Sequence, residues 1–253
     1  MNPIIPILLS SFLLFGCDPG DSSVSGQDHG TANDIKQEIE VVQRYIAASR
    51  AQENLLRGVS MEIDIDARLP KLKKEGKFHA LRHISKVGQI SYLAQAFTGD
   101  NTIKKDVIAR YLSAETQTRE DKKPSIAITP ANYKFKDKGL AERNGRTVHI
   151  LQVTPKKKRV GLFKGEIWLD PKTSLPVREH GRFVKNPSVF LKKIDFVRDY
   201  EVVDGIAVPN QIQSVVETRL VGKAEMEINF SNFNRIADDT IFANRPGAPE
   251  QSP

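Results

Sequence analysis

Residues 60–69 read SMEIDIDARL and carry the clearest structural signal in the chain. Apolar side chains occupy every second position from Met61 to Leu69, and charged side chains occupy the positions between them. A repeat of two residues is typical of a β-strand with one face in a core and the other in water. The stretch therefore predicts a long strand in a sheet that is covered on one side.

The segment before this strand has a different period. Its apolar residues include Ile35, Ile39, Val42 and Ile46. Their spacing of four, three and four residues places them on one stripe of an α-helix. Asn33 is suited to cap the first turn and Gly58 to end the helix. We expect a helix over residues 34–56 that lies on the covered side of the sheet.

After the first strand, runs rich in apolar and β-branched residues alternate with short polar turns. Further strands are expected at residues 77–86, 89–97, 147–153, 162–169, 177–185, 189–200, 206–217 and 220–233. Residues 107–116 fit either a helix or a strand, and we interpret them as a short second helix. The fold class is then mainly β (α+β), with a large curved antiparallel sheet covered by helices. The inward faces of the strands are expected to be almost entirely apolar.

Residues 1–16 have the layout of a secretory signal. Ile4 to Phe15 form an apolar run of about 12 residues, shorter than the roughly 20 that a membrane-spanning helix needs. The sequence Leu14-Phe15-Gly16-Cys17 then resembles the lipobox of bacterial lipoproteins, in which the cysteine thiol receives diacylglycerol before cleavage. The resemblance implies a lipoprotein signal peptide over residues 1–16 and a lipid on Cys17. No Lys or Arg precedes Lys36, so the usual basic start of such a signal is missing.

Cys17 is the single cysteine of 253 residues, so no intramolecular disulfide can form. A lone thiol is a liability in an oxidising compartment, and acylation would cap it. An ordinary cleaved signal, or a buried cysteine, is the alternative. Residues 17–33 are rich in Gly, Ser and Asp and predict a flexible tether. Residues 34–242 then form one domain, and residues 243–253 a disordered tail.

Residues 165–178, GEIWLDPKTSLPVR, resemble the outer-membrane lipoprotein-sorting protein family, related to LolA and LolB. The similarity continues through residues 196–200 and 204–209. It implies a half-open β-barrel closed by helices, with a greasy interior that accommodates acyl chains and has no catalytic centre. An anchor at Cys17 separates this chain from a soluble carrier and favours a fixed receptor.

Apolar residues on the inward faces are candidates for the wall of such a lipid cavity. They are Met61, Ile63, Ile65, Ile90, Tyr92, Phe163, Ile167, Leu169, Ile194, Phe196, Met226, Ile228 and Phe230. Alternation alone does not separate a cavity wall from a packed core, because both require the same residues.

The sequence does not favour enzymatic chemistry. It contains no recognisable Ser, His and Asp framework or phosphate-binding loop. His79 and His83 would lie about 13 Å apart on a strand, which disfavours a shared metal ion. We therefore predict no catalytic residues, no metal and no cofactor.

The formal net charge is +7, and two basic stretches stand out, at residues 71–77 and at residues 156–159. Both fall between predicted strands. They are either solvated loops that discourage pairing at sheet edges or contacts for anionic headgroups. A nucleic-acid partner is disfavoured, because export separates the chain from nucleic acid and no aromatic residues interleave with the basic runs.

Together these features predict a lipid-anchored protein of the bacterial envelope that faces the periplasm. It would bind lipid or lipoprotein acyl chains in an apolar concavity, in lipoprotein sorting or outer-membrane maintenance. The alternative is a non-catalytic module on the same fold that binds an envelope protein or senses envelope stress.

The lipobox makes a direct prediction. Cys17→Ser should move the protein from the detergent phase to the aqueous phase of a Triton X-114 extraction, because two or more acyl chains are needed for stable anchoring. Ser22→Ala is the matched control and should stay in the detergent phase. Recovery of the unsubstituted protein in the aqueous phase would favour an ordinary cleaved signal.

Overall fold

A computed structural model describes residues 32–116, 125–186, 191–219 and 222–236. The predicted signal peptide, the lipobox residues Leu14, Phe15, Gly16 and Cys17, nearly all of the tether and the C-terminal tail lie outside the described residues.

The described chain contains ten strands and two helices. The first helix, α1, spans Ala32–Leu55. The strands are β1 Val59–Leu69, β2 Lys74–Ile84, β3 Ile90–Gly99, β4 Tyr133–Arg143, β5 Arg146–Pro155, β6 Phe163–Leu169, β7 Pro176–Phe183, β8 Leu191–Val203, β9 Ile206–Thr218 and β10 Lys223–Arg235. Between β3 and β4, a π-helical turn at Ile103–Ile108 runs directly into the second helix, α2, at Ala109–Thr116. We call residues 103–116 the cover segment.

All ten strands belong to one open antiparallel sheet. Their order is β3-β2-β1-β10-β9-β8-β7-β6-β5-β4, so β3 and β4 are the two edges. The first strand lies inside the sheet, because β1 pairs with β2 on one side and with β10 on the other. The predicted large antiparallel sheet with two helices is confirmed.

The alternation in β1 decides which face is covered. Met61, Ile63, Ile65 and Ala67 are each at most 2% exposed, whereas the intervening Asp64 and Arg68 are exposed. The same alternation runs through the paired strands, so one continuous apolar face results. We call this the inner face.

Helix α1 covers the inner face with a stripe that matches the predicted one in part, since Val42 and Ile46 pack against the core. Val41, Val42 and Tyr45 are buried, whereas Ile39 is 52% exposed. Gln52 fixes the C-terminal half of the helix, because its side-chain amide donates to the Gly205 carbonyl and accepts from the Ala207 amide. The helix is therefore rotated toward β4, β8 and β9, and the prediction that Ile39 faces the sheet is wrong.

Strand β4 was not expected from the sequence. It is an edge strand, so it needs few apolar residues, and its sequence YKFKDKGLAER carries mostly charged side chains. A register shift between Asp137 and Leu140 also interrupts its alternation. Both features remove the period of two that identifies the other strands.

Two glycines allow β6 and β7 to approach each other closely. Gly165 and Gly181 are direct partners in this pair. A Cβ on Gly165 would lie 2.0 Å from the His180 carbonyl oxygen, and a Cβ on Gly181 would lie 2.6 Å from the Lys164 carbonyl oxygen. The backbones therefore approach more closely than any side chain permits.

No helix among the described residues has the length and apolarity required to span a membrane.

The glycine pair predicts a difference between two similar substitutions. Gly165→Ala should lower the free energy of unfolding by about 3 kcal/mol, because the backbone of β7 must move. Gly145→Ala should cost only about 1 to 2 kcal/mol, since its Cβ meets no atom within 4 Å and the cost comes from its φ of +73°. Urea denaturation of both variants measures this difference, and equal losses would contradict the close approach.

Candidate functional site

The predicted cavity residues all lie on the inner face and come together there. Ile90 and Tyr92 are partly buried against one large hydrophobic cluster, and the others belong to that cluster with at most 9% exposure. The cluster spans both halves of the sheet, from β2 and β1 through β10 and β8 to β6. The inner face is thus one apolar surface whose central residues contact other protein atoms.

The cover segment fills the side of this surface formed by β1, β2 and β3. Ile103, Ile108 and Tyr111 reach inward and are each at most 1% exposed. Ile103 sits over Gly76 of β2, where a Cβ would come within 2.9 Å of its Cγ2 atom. The cover segment and α1 together occupy the concave side of the sheet.

A buried ion pair joins the cover segment to the sheet. Arg82 projects inward from β2, and its Nη2 atom lies 2.5 Å from Oε1 of Glu115 in α2. The hydroxyl of Tyr92 also bonds to the Glu115 carboxylate. The Arg82 guanidinium lies 3.7 Å from the Met61 sulfur and 6.0 Å from the centre of the Phe230 ring. The charge of Arg82 is therefore surrounded by predicted cavity residues.

A second buried ion pair lies within the sheet. Arg198 of β8 and Glu179 of β7 are neighbouring partners on the inner face, 3.0 Å apart between Nη1 and Oε2, and both side chains are 4% exposed. Arg198 also donates to the Tyr200 hydroxyl at 2.9 Å. Burial by itself would lower the pKa of Arg198, and the neighbouring Tyr200 and Glu179 reverse that effect.

All five tyrosines of the protein face this interior. They are Tyr45, Tyr92, Tyr111, Tyr133 and Tyr200. Burial raises the pKa of each hydroxyl above its usual value, and the carboxylates of Glu115 or Glu179 raise it further. The charges of Arg82 and Arg198 lower the pKa of Tyr111 by less than burial and Glu115 raise it. Polar groups are thus present within the apolar interior.

The expectation of an almost entirely apolar inner face is therefore wrong at several positions, among them Arg82, Glu179 and Arg198 of the strands, and Glu115 of α2 adds a further buried charge. A signal for the two arginines and Glu179 was present in the sequence. Arg82 follows Phe78 and Ala80 at intervals of two, and Arg198 follows Phe196 by two. The signal was missed because a charged residue at an inward position is ordinarily assigned to the outer face.

The described residues hold no group of three or more His, Cys, Asp or Glu side chains that could bind a metal ion.

His149 and Asp137 form a buried pair at 2.7 Å on the inner side of β5 and β4. The Asp137 amide donates to the Glu38 carboxylate, so this pair ties the sheet edge to α1. The arginines are each neutralised by a carboxylate, an arrangement that stabilises a polar group in an apolar interior.

The outer face has its own cluster, on β6, β7 and β8. Arg178 binds Asp199 through two hydrogen bonds of 2.5 and 2.8 Å, and its guanidinium lies 5.3 Å from the Trp168 ring centre. His180 contacts the same indole edge-on at 5.5 Å. Trp168 donates to Glu166 at 3.1 Å. This aromatic and charged surface was not predicted from the sequence.

A shallow groove of about 310 Å³ also lies on the outer side, across β1, β10, β9 and β8. Its lining combines apolar surface with the carboxylates of Asp66, Asp195, Glu225 and Glu227. Of the predicted cavity residues, only Phe196 and Met226 line it. It is therefore a different feature from the predicted lipid cavity.

No protein-family model matches the chain, and no curated protein matches it. Solved structures do match. A DUF1329 family protein from Desulfovibrio piger is 17% identical, with 80% of this chain and 96% of that chain covered and a TM-score of 0.41. A putative outer membrane lipoprotein-sorting protein domain from Vibrio parahaemolyticus is 13% identical, with 82% and 96% covered and a TM-score of 0.42.

A LolA superfamily protein from Nitrosomonas europaea is 12% identical, with 81% and 96% covered and a TM-score of 0.37. Lipoprotein-sorting and LolA superfamily proteins are thus among the structural neighbours of this chain, as the resemblance of residues 165–178 predicts. At these identities and TM-scores the likeness assigns neither a family nor a ligand.

The buried pair at the cover segment predicts a large effect from a small change. Glu115→Gln should lower the free energy of unfolding by about 3 to 5 kcal/mol, because it leaves the Arg82 charge buried without a partner. The double variant Arg82→Met, Glu115→Gln should recover part of that loss. Asp66→Asn, which breaks the exposed pair with Lys77, should cost no more than about 1 kcal/mol. Similar losses in all three variants would contradict the buried pair.

The tyrosines predict a loss of stability at alkaline pH. Their folded pKa values are raised, so the stability that the neutral hydroxyls contribute is complete below the unfolded pKa of about 10 and is lost as the pH rises above it. The urea midpoint should fall steeply between about pH 9 and 11. Tyr111→Phe should make that slope shallower, and an unchanged slope would contradict its burial as a neutral hydroxyl.

Proposed function

We propose that this protein is a lipid-anchored envelope protein that binds a lipid, or the acyl chains of lipoproteins, against the inner face of its sheet. The observation that carries the proposal is the continuous apolar surface of β1, β2, β10, β8 and β6, which α1, the cover segment and Ile126 and Ile128 before β4 cover. Cys17 supplies the anchor, and the inner face supplies the binding surface. No chemical step is part of this function.

The composition of the inner face supports an acyl ligand. Unbranched chains need a surface with few hydrogen-bonding requirements along their length, and the inward side chains of the strands between the two ion pairs are aliphatic or aromatic apart from Ser214. Met61 and Met226 lie in this surface, and their flexible thioethers adapt to ligands of different shape.

Binding requires the cover segment to move, because Ile103, Ile108 and Tyr111 occupy the space that a chain would take. Two features favour this segment over α1 as the moving part. It is shorter, 14 residues against 24, and it begins with a π-helical turn, a feature frequent at functional sites. The ion pair of Arg82 with Glu115, which Tyr92 supports, attaches it to the sheet.

A reversible crosslink tests both the site and the movement. In the Cys17→Ser background, Gly76→Cys and Ile103→Cys place two thiols where a Cβ on Gly76 meets the Ile103 side chain at 2.9 Å. The probe is dansyl-undecanoic acid, whose emission rises in apolar surroundings. We expect the reduced protein to bind the probe and the oxidised protein to bind it at least tenfold more weakly.

The control is the single variant Ile103→Cys in the same background and with the same oxidant, which should bind the probe in both conditions because it adds no Cβ at Gly76. Dithiothreitol should restore binding to the crosslinked protein. Equal probe binding by the oxidised and reduced forms would overturn the inner face as the site.

A second candidate function is the binding of an envelope protein by the same fold, which is the alternative that the sequence analysis gives. The cluster of Trp168, Arg178 and His180 on the outer face favours it, because Trp and Arg are enriched where proteins make their strongest contacts. Crosslinking in whole cells separates the two functions. Loss of a specific crosslinked product in Trp168→Ala, with probe binding unchanged, would favour the module.

A further inference from the structure

The topology brings the loops that carry the two basic stretches to one end of the sheet. Because the strands run antiparallel, the β1–β2 turn, the start of the cover segment, and the β5–β6, β7–β8 and β9–β10 connections all lie at that end. The β2–β3, β4–β5, β6–β7 and β8–β9 turns lie at the other end. We call the first end the lysine rim.

Exposed lysines form three groups along the lysine rim. Lys71 and Lys73 lie in the β1–β2 turn, Lys104 and Lys105 begin the cover segment, and residues 156–158 form the β5–β6 connection. These side chains are exposed and form no ion pair within the described part of the chain. Lys104 Nζ lies 5.3 Å from the centre of the Phe97 ring, so the other six lysines are the charges most available to a partner.

Other cations of the same loops have structural roles, which sets the exposed lysines apart. Lys74 bonds to Thr102 at 2.7 Å and pairs with Asp100 at 3.4 Å. Arg159 donates to the Ser125 carbonyl and the Asn132 side chain. The loops are thus held by their own contacts while the lysines face outward.

The opposite end of the sheet has a different character. Three of its four turns are built on Asn144 with Gly145, on Asp170, and on Asp204 with Gly205. The turns of this end carry two exposed lysines, Lys86 and Lys172, against seven in the three groups of the lysine rim. The Asp170 carboxylate accepts hydrogen bonds from the Lys172 and Thr173 amides. Exposed lysines are therefore concentrated at the lysine rim and are not spread evenly over the loops of this basic protein.

An apolar side chain stands at the tip of the lysine rim. Leu72 lies between Lys71 and Lys73 in a single 3-10 turn and is 42% exposed. The turn is held in place, because the Lys71 stem packs over Gly222 of the β9–β10 connection, where a Cβ would come within 3.3 Å. A basic turn with an exposed leucine at its tip suits the boundary between lipid headgroups and acyl chains.

From these observations we propose that the lysine rim docks on the anionic surface of a lipid bilayer, with Leu72 entering the headgroup layer. The β1–β2 turn and residues 156–158 lie about 30 Å apart along the sheet, at roughly 4.8 Å per strand. So wide a spread of charge matches an extended anionic surface better than a small anion. Each lysine near such a surface adds to the attraction. The proposal does not depend on ligand binding by the inner face.

Vesicle flotation tests the docking without the lipid anchor. The chain starting at Cys17→Ser is mixed with vesicles of phosphatidylethanolamine and phosphatidylglycerol, or of phosphatidylcholine alone. We expect binding to the anionic vesicles that weakens at least tenfold between about 50 and 500 mM salt. Phosphatidylcholine vesicles should bind little.

Charge reversal locates the surface. Glutamate at residues 156, 157 and 158 should weaken binding at least tenfold. The matched control places glutamate at the exposed Lys36, Lys138 and Lys172, which lie outside the rim connections. Its net charge then equals that of the rim variant. It should bind at least threefold more tightly than the rim variant. Leu72→Ser should reduce the binding that persists at high salt.

Two results would overturn the proposal. The first is an absence of binding to anionic vesicles by the chain with an intact rim, which would leave an acidic protein surface as the partner for these lysines. The second is an equal loss in the rim and control variants, which would mean that net charge alone drives the association. Binding of dansyl-undecanoic acid is measured on the same samples. It shows whether the inner face binds its ligand, independently of whether the rim binds vesicles.

Discussion

Two arginines are buried on the apolar side of the sheet, and each requires a carboxylate beside it in the interior. A guanidinium stays charged at any pH that the protein encounters, and burying it without a carboxylate is far more costly than burying any apolar side chain. Arg198 meets the requirement within the sheet, through Glu179 on the next strand. Arg82 meets it only through Glu115 of α2. The position of the cover segment is therefore fixed by charge as well as by its apolar residues.

This difference divides the interior into two regions. On the side of β7 and β8, both partners are held by backbone pairing between neighbouring strands, and α1 closes the region through contacts along its length. On the side of β1, β2 and β3, the carboxylate belongs to a short helix that can leave without breaking a strand. Displacing that helix, as the proposed function requires, would expose a charge, so an open state would need a ligand or water to solvate Arg82. The same ion pair that closes the interior thus disfavours opening it without a partner.

The sequence predicted the parts of the fold that depend on local periodicity. The alternation in residues 60–69 identified both the strand and its buried face, because apolar and charged side chains alternate there at every position from Met61 to Leu69. Edge strand β4 escaped the same reasoning, since an edge needs little apolar surface and a bulge shifts its phase. The orientation of α1 depends on which strands it contacts, and Gln52 finds its partners some 150 residues away at Gly205 and Ala207. The pairing of Arg82 with Glu115 likewise joins a strand to a helix 33 residues later, which no local pattern reveals.

The pairing of β1 with β10 has a consequence for how the chain reaches this structure. Val59 pairs with Arg235, so the first strand of the sheet is completed by its last. Strands β1 to β3 and strands β4 to β9 can each form by local hairpins, but they become one sheet only when β10 is inserted between β1 and β9. Contacts so distant in sequence slow folding, because the loop that they close must be ordered first. A chain that crosses a membrane from its N-terminus would therefore assemble its interior only after almost all of it has emerged.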